Sequence, residues 1–300
     1  MYAILPAGTY YLVLDTWADA NDTPWTGAYT IRVSIRERGL TEAHMMNSYV
    51  LAAVDYLYAE YGLLGYGAAA LTHDIPYGEY GSVPKSGGAL TMCVAAAMEV
   101  ILQAMILYAE DTGDTAVFDF LPLQSWKSLA PQNIRAHIWV NHEIGTWGTA
   151  DALVNFGMGI TLPFEELRPG AFINLNRTNG TGHAVVLISF IDKHGREYDT
   201  WNDRVIGFKY FSSQGGSAID TGGLDYRYAI FSEHGKLTMP YKRDTGVIYS
   251  TNPHYLNTGE LLGPWHWGDT DVESWVGGAP SSAFDPAYFN GWTIDDVPSL

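Results

Sequence analysis

The sequence predicts an α+β domain, with helices in the first half of the chain and an antiparallel β-sheet after them. Apolar residues recur at helical spacing from Thr41 to Tyr61, and again from Cys93 to a stop at Gly113. Beyond Leu167 the apolar period becomes two, which is typical of strands. Helical segments followed by strand segments indicate an α+β fold rather than alternating βα units.

The segment after Cys93 is the most apolar part of the chain, and apolar residues surround most of the predicted helix. Such a helix is expected inside the domain. Glu99 and Gln103 interrupt the run, so no stretch of about 18 apolar residues is expected to enter a membrane. The other predicted elements are short helices at 131–141 and 149–156 and strands at 171–176, 183–191, 205–213 and 226–232.

The chain is acidic, with a formal net charge of −17 from 33 Asp and Glu against 16 Lys and Arg. Because this charge repels phosphate backbones, nucleic acid is not an expected partner. Ten Trp, twenty Tyr and few lysines are typical of secreted bacterial proteins, so we expect a secreted or periplasmic protein. No export signal is recognisable at the N-terminus. The oligomeric state stays open.

Three regions are expected along the chain. Residues 1–38 contain a predicted β-hairpin. The sequence of this hairpin, LPAGTYYLVLDTW…GAYTIRVSI, resembles the end of the pre-peptidase C-terminal domain, a small β-sandwich attached to secreted bacterial hydrolases. Residues 39–240 hold the predicted α+β domain. Residues 241–300 are rich in Trp, Pro, Gly and Asp with little periodicity, and are expected to form an irregular extension.

Cys93 is the single cysteine, so an internal disulfide and a cysteine-based zinc site are excluded. His137 and His142 are five residues apart and do not share a helical face, and no metal or cofactor is predicted. An isolated cysteine is either a small buried apolar residue or a reactive thiol. Cys93 begins a predicted helix, and a helix N-terminus lowers the pKa of a thiol and supplies backbone N–H groups for an oxyanion.

His183 is the histidine best placed to act as a base for this thiol. In TGHAVVLISFID it follows a glycine at the start of an apolar strand, whereas His194 and His234 lie beside glycines in turns. A strand holds an imidazole more rigidly than a loop does. A buried structural histidine is the alternative interpretation.

These residues resemble the bacterial papain-like cysteine peptidases and amidases, including the CHAP class and related cell-wall enzymes. The likeness covers about residues 85–232 and consists of a cysteine opening a buried helix, the L-x-P-G segment Leu167 to Gly170, and Gly182-His183 before an apolar strand. It implies a papain-like fold, with N-terminal helices and a central buried helix packed on an antiparallel sheet. It also implies Cys93 as nucleophile and His183 as base.

The resemblance leaves the supporting residues open. In this superfamily a polar residue on the next strand orients the imidazole, and here Ser212 or Gln214 stands where an asparagine is usual. Gly87 replaces the usual oxyanion glutamine, and Ala171 replaces the usual aspartate after Pro-Gly. The backbone N–H of Cys93 together with a hydroxyl of Tyr80, Ser86 or Thr91 is expected to replace the glutamine, and Asn174 is expected to face the cleft. These four residues are the candidate substrate-binding residues.

The expected activity is hydrolysis of a peptide or amide bond through a thioacyl-enzyme. By the resemblance, the substrate is a peptide or a peptidoglycan-type amide of the bacterial cell wall. Two alternatives stay open. One is acyl transfer to an amine, as in a transglutaminase-like toxin. The other is a catalytically inactive module that binds a glycan or a protein.

Overall fold

The computed structural model describes residues 45–67, 71–85, 90–139, 144–234 and 243–268. The hairpin expected within residues 1–38 lies outside these residues, as do Ser86 and Gly87.

Two long helices come first, and each begins and ends close to where the sequence predicts. Helix α1 spans Met45–Tyr61 and helix α2 spans Cys93–Thr112. Gly113 ends α2 in the left-handed conformation (φ 75°), and its N–H donates to the carbonyl of Ala109. Three short helices follow, of which α4 is shorter than expected from the sequence: α3 Leu123–Lys127, α4 Ile134–Ile138 and α5 Thr149–Asn155.

The described strands form one small pair and one large sheet. The pair is β1 Ile75–Pro76 with β2 Ser82–Val83. The large sheet has eight strands within the described residues, in the order β3-β10-β4-β5-β7-β8-β9, with β6 paired to β5. Its strands are β3 Gly159–Thr161, β4 Phe172–Asn176, β5 Gly182–Asp192, β6 Glu197–Tyr198, β7 Val205–Gly215, β8 Gly222–Phe231, β9 Arg243–Val247 and β10 Leu256–Leu261. Among the strands that the structure describes, only β8 and β9 pair in parallel. The expected α+β class with an antiparallel sheet is thus confirmed.

The sheet extends beyond residue 240, which differs from the expected irregular extension. Strand β10 inserts between β3 and β4, and β9 flanks β8. All six residues of β10 are buried, so both of its faces are covered and its sequence, LNTGEL, lacks the alternation that marks a half-exposed strand. Residues 269–300 lie outside the described residues.

The two faces of the sheet bury different apolar clusters. Helix α2 packs on one face, where Cys93 shares a cluster with Ala184, Val186 and Phe211. The opposite face buries a second cluster, which includes Val185 and Leu187 from the same strand. The sheet also curls, because Thr178 and Ile248 donate backbone hydrogen bonds across the gap between the end of β4 and β9 (2.8 and 2.9 Å, to Gly246 and Asn176). The second cluster therefore lies within a strongly curved sheet.

Helix α2 is long and apolar enough to cross a membrane by length and composition, despite Glu99 and Gln103. Of its most apolar window, 83% is buried inside the protein. A core helix passes the same test, and α2 fits that description because its buried side chains contact α1 and the sheet.

Candidate active site

Cys93 is the first residue of α2 and its side chain is fully buried. Met92, the residue before it, has an extended backbone (φ −126°, ψ 169°) and makes no side-chain cap to the helix. The first N–H groups of a helix have no acceptor within the helix, so the positive end of the α2 dipole lies at Cys93. A helix N-terminus favours a thiolate, whereas burial opposes one, so the reactive thiol stays a prediction.

His183 is the second residue of β5 and contacts the side chain of Gln214 on β7. Its Nε2 lies 3.1 Å from Gln214 Oε1. The amide nitrogen of Gln214 donates to the carbonyl of Asp225 (2.8 Å), which turns Oε1 toward the imidazole. Nε2 must then carry the hydrogen, and Nδ1 is the basic nitrogen of the neutral ring.

Ser212 does not compete for this position. Its hydroxyl donates to the backbone carbonyl of Ala184 at 2.6 Å, inside the β5–β7 pair. Of the two residues that the sequence offered as partners of the imidazole, Gln214 therefore makes the contact. Its side chain and that of His183 are both buried.

The start of α2 is tied to the strand that carries Gln214. Ser213 donates its hydroxyl to the carbonyl of Thr91, two residues before Cys93, at 2.9 Å. The backbone N–H of Gly67 donates to the same carbonyl at 3.0 Å. Residue 213 is also the neighbour of Gln214, so this hydrogen bond brings the helix N-terminus to the same end of the sheet as His183.

Side-chain alternation places the two candidate catalytic groups on different sides of the strands. Cys93 belongs to the cluster that contains Ala184, whereas His183 contacts Tyr210 and shares the side of Val185. A contact between the sulfur and the imidazole would have to run around the start of β5, where Gly182 is the first residue. The Cys93–His183 pair stays a prediction.

The hydroxyls expected near the oxyanion are engaged elsewhere or lie outside the described residues. Tyr80 is exposed, and it donates to Asp119 Oδ1 at 2.5 Å. This hydrogen bond raises the pKa of Tyr80. Thr91 is buried, and its hydroxyl lies 3.5 Å from the carbonyl of Met92. Ser86 lies outside the described residues.

Asn174, which was expected to face the cleft, makes a hydrogen bond to the start of a helix. Its Oδ1 accepts a hydrogen bond from the backbone N–H of Thr149 (2.8 Å), the first residue of α5. Gly148, which precedes α5, supplies no side-chain cap, so Asn174 satisfies this N–H from the neighbouring strand.

Replacing Asn174 with alanine is therefore expected to lower the free energy of unfolding by about 1–2 kcal/mol, the usual cost of a lost helix cap or buried hydrogen bond. Urea unfolding measures this change, with the exposed helix residue Gln124 replaced by alanine as a control. The rate at which Cys93 is alkylated should stay as in the unmodified protein. A large fall in that rate with unchanged stability would instead place Asn174 in a substrate cleft.

Three further polar residues lie near His183, and no motif in the sequence points to them. Arg177 Nη2 and Asp244 Oδ2 form a fully buried ion pair at 2.5 Å, and the hydroxyl of Tyr210 donates to the same carboxylate oxygen at 2.7 Å. Burial would raise the pKa of Asp244, but the charges of Arg177 and His183 together with these hydrogen bonds lower it. The two charged residues are 67 positions apart, so no local pattern relates them.

Within the described ranges, no group of three or more His, Cys, Asp or Glu side chains is arranged to hold a metal ion. No family model matches the chain, and neither a curated protein nor a solved structure matches it. What the site can do therefore has to be inferred from its own residues.

Proposed function

We propose that this protein is a papain-like cysteine hydrolase that cleaves a peptide or amide bond, with Cys93 as nucleophile, His183 as base and Gln214 as the residue that orients the imidazole. The observation that carries the proposal is the hydrogen bond between His183 Nε2 and Gln214 Oε1. It lies at the end of the sheet where Ser213 holds the segment before Cys93. A helix-opening cysteine and an amide-oriented imidazole are the elements of a cysteine–histidine pair.

In the proposed reaction, the Cys93 thiolate adds to the carbonyl carbon of the substrate. His183 then donates its Nδ1 proton to the departing amine, which leaves a thioester on Cys93. His183 next takes a proton from water, and the hydroxide formed attacks the thioester and releases the acid and the thiolate. The backbone N–H of Cys93, at the positive end of α2, is our candidate donor to the oxyanion. Gln214 keeps the Nε2–H tautomer throughout.

The proposed substrate class is a peptide or a peptidoglycan-type amide outside the cytoplasm. Exposed aromatic rings suited to contact with sugars occur in the described region, at Tyr56, Tyr58, Tyr255 and Trp265. Trp267, in contrast, donates to the carbonyl of Leu262 and packs on Phe120, so it fastens the segment after β10 to the domain.

Intact-mass measurement after incubation with E-64, an electrophile that alkylates active cysteine peptidases, tests the proposal. Because Cys93 is the only cysteine, a single adduct identifies it. Replacing His183 with alanine should slow adduct formation by about 100-fold, as expected for loss of a general acid–base. The exposed turn residue His194 replaced by alanine is the matched control and should react like the unmodified protein. The proposal would be contradicted if the folded protein forms no adduct and Cys93 reacts only after unfolding in urea.

One observation favours the non-enzymatic alternative. The side chains of Cys93 and His183 are both fully buried, and a thiol closed off from solvent is unreactive. If both residues only fill the core, substituting Cys93 with alanine should change stability and leave binding of peptidoglycan fragments unaltered. The E-64 measurement separates the two functions, since only an accessible thiolate forms the adduct.

A further inference from the structure

The buried ion pair of Arg177 and Asp244 adjoins His183 but has no part in the proposed catalytic pair. Both side chains are almost completely inaccessible (1% and 0% exposed). Burying an ion pair costs several kcal/mol of desolvation for each ion, so two apolar side chains of similar volume would stabilise the fold equally well. Because the ion pair lies next to His183, we infer that its charge acts on the imidazole.

Two contacts connect the ion pair to the imidazole. Tyr210 donates its hydroxyl to Asp244 Oδ2 (2.7 Å), and its ring meets that of His183 edge to face, with centroids 5.5 Å apart. Arg177 Nη1 lies 3.3 Å from the carbonyl of Gly182, the residue before His183. The ion pair and the imidazole are therefore held by the same few side chains, next to the first residues of β5.

The two carboxylate oxygens of Asp244 differ in their hydrogen bonds. Its Oδ2 accepts from both Arg177 and Tyr210, whereas its Oδ1 is buried and accepts no hydrogen bond from any residue that the structure describes. A buried carboxylate oxygen without a donor is costly. The carboxylate nevertheless stays ionised, because positive charge from Arg177 and His183 outweighs the effect of burial on its pKa.

We propose that Asp244 is a positioning residue, whose negative charge stabilises the protonated imidazole of His183 and so favours the thiolate–imidazolium form of the catalytic pair. This inference rests on the proposed function. Gln214 is neutral and only orients the ring, so Asp244 supplies the negative charge that an aspartate in the Gln214 position would otherwise provide.

Other charged residues on the neighbouring strands also act on the protonation of His183. Arg177 beside β4 and Arg227 on β8, opposite Tyr210, are positive and oppose protonation of His183. Asp225, opposite Ser212, is the other acidic residue on this side of β8, and its carbonyl already accepts from Gln214. Removing the charge of Asp244 therefore takes away the buried carboxylate that pairs with Arg177 next to His183.

Titration of His183 by NMR of its imidazole nitrogens tests the inference without any substrate. The measurement uses the full chain with Cys93 replaced by alanine, so that no thiolate contributes, and His183→Gln identifies the signal among nine histidines. Asp244→Asn should lower the midpoint of the His183 titration by about one pH unit or more. Asp244→Glu should restore most of it, and Tyr210→Phe, which keeps the charge, should shift it by less than half as much.

Loss of Asp244 also removes the carboxylate that pairs with the buried Arg177, which endangers folding. The double substitution Arg177→Gln with Asp244→Asn removes both charges, and compared with Arg177→Gln alone it should show the same downward shift in a folded protein. An unchanged His183 midpoint in folded Asp244→Asn and in this pair would overturn the inference.

The E-64 measurement separates this inference from the proposed function. If adduct formation on Cys93 requires His183 but is unaffected by Asp244→Asn, the hydrolase proposal stands and the role of Asp244 is wrong. If Cys93 never reacts in the folded protein, the hydrolase proposal fails, and Asp244 then has no catalytic pair to assist even if the titration shifts.

Discussion

Alkylation of Cys93 by iodoacetamide is expected to proceed at nearly the same rate from about pH 5.5 to pH 8 in the unmodified protein. The reason is that a thiolate paired with imidazolium is already formed at the lower pH. An ordinary thiol has a pKa of about 8.5, so its alkylation rate rises roughly 70-fold between pH 6 and pH 8. The shape of the profile, measured by mass spectrometry at each pH, is the result to compare.

The absolute rate is a weaker test than this shape. A thiolate of low pKa is also less nucleophilic, and the loss offsets much of the gain in the thiolate fraction at pH 6. Replacing His183 with alanine should convert the flat profile into one that climbs about tenfold per pH unit. The His194→Ala control should keep the flat profile. A steep profile in the unmodified protein would show that Cys93 is an ordinary thiol.

We expect the Glu99→Gln variant to gain stability over the unmodified protein as the pH rises. Between pH 4.5 and pH 8 the difference between their free energies of unfolding should grow by several kcal/mol in favour of the variant. Glu99 is fully buried in the middle of α2, and burial raises its pKa from 4.5 to about 8, although hydrogen bonds from Thr72 partly lower it. Thr72 N and Oγ1 contact its two oxygens at 2.6 and 2.7 Å. Glutamine can accept from the N–H of Thr72 through its oxygen and donate its amide N–H to Thr72 Oγ1, and it carries no ionisable proton.

The direction follows from proton linkage. The folded protein keeps the proton of Glu99 up to about pH 8, whereas the unfolded chain loses it above 4.5. The contribution of Glu99 to the free energy of unfolding is therefore highest below pH 4.5, falls as the pH rises toward 8, and stays constant above pH 8. Each pKa unit corresponds to about 1.4 kcal/mol, so Glu99 accounts for at most about 5 kcal/mol of this fall.

Urea unfolding of both proteins at several pH values measures the difference. Glu260, whose pKa burial raises to about 7, is present in both proteins and contributes equally to both curves. Glu110→Gln, on the exposed face of the same helix, should shift stability by no more than about 0.5 kcal/mol at every pH. Parallel pH curves for Glu99→Gln and the unmodified protein would contradict the expected role of burial.

Strong periodicity is why the sequence predicts the main elements correctly. Helix α2 begins at Cys93 and stops at Gly113 as expected, because an apolar run and a left-handed glycine are local signals. Strands β5 and β7 also lie where alternating apolar residues indicate them. Strands β9 and β10 escaped prediction, since both faces of β10 are buried and its residues do not alternate.

The residues of the candidate site likewise divide into those that local sequence patterns predict and those that depend on tertiary packing. The hydrogen bond between His183 and Gln214 follows from two strands of expected register, so the sequence could propose it. Asn174, in contrast, was expected to face a cleft, but its hydrogen bond to the start of α5 depends on how that helix packs on β4. Tyr80 binds Asp119 for an equally non-local reason.

By itself, the sequence determined the α+β class, the buried helix that starts at Cys93 and the strand that starts with Gly182-His183, because each depends on neighbours within a few residues. Only the tertiary structure decided which polar groups surround the imidazole. Arg177 and Asp244 meet across 67 residues because the curved sheet brings β9 against the end of β4, and Ser213 reaches Thr91 across 122 residues. Such contacts form only when long loops close and bring distant segments together, and the local periodicity of a sequence carries no information about which segments meet.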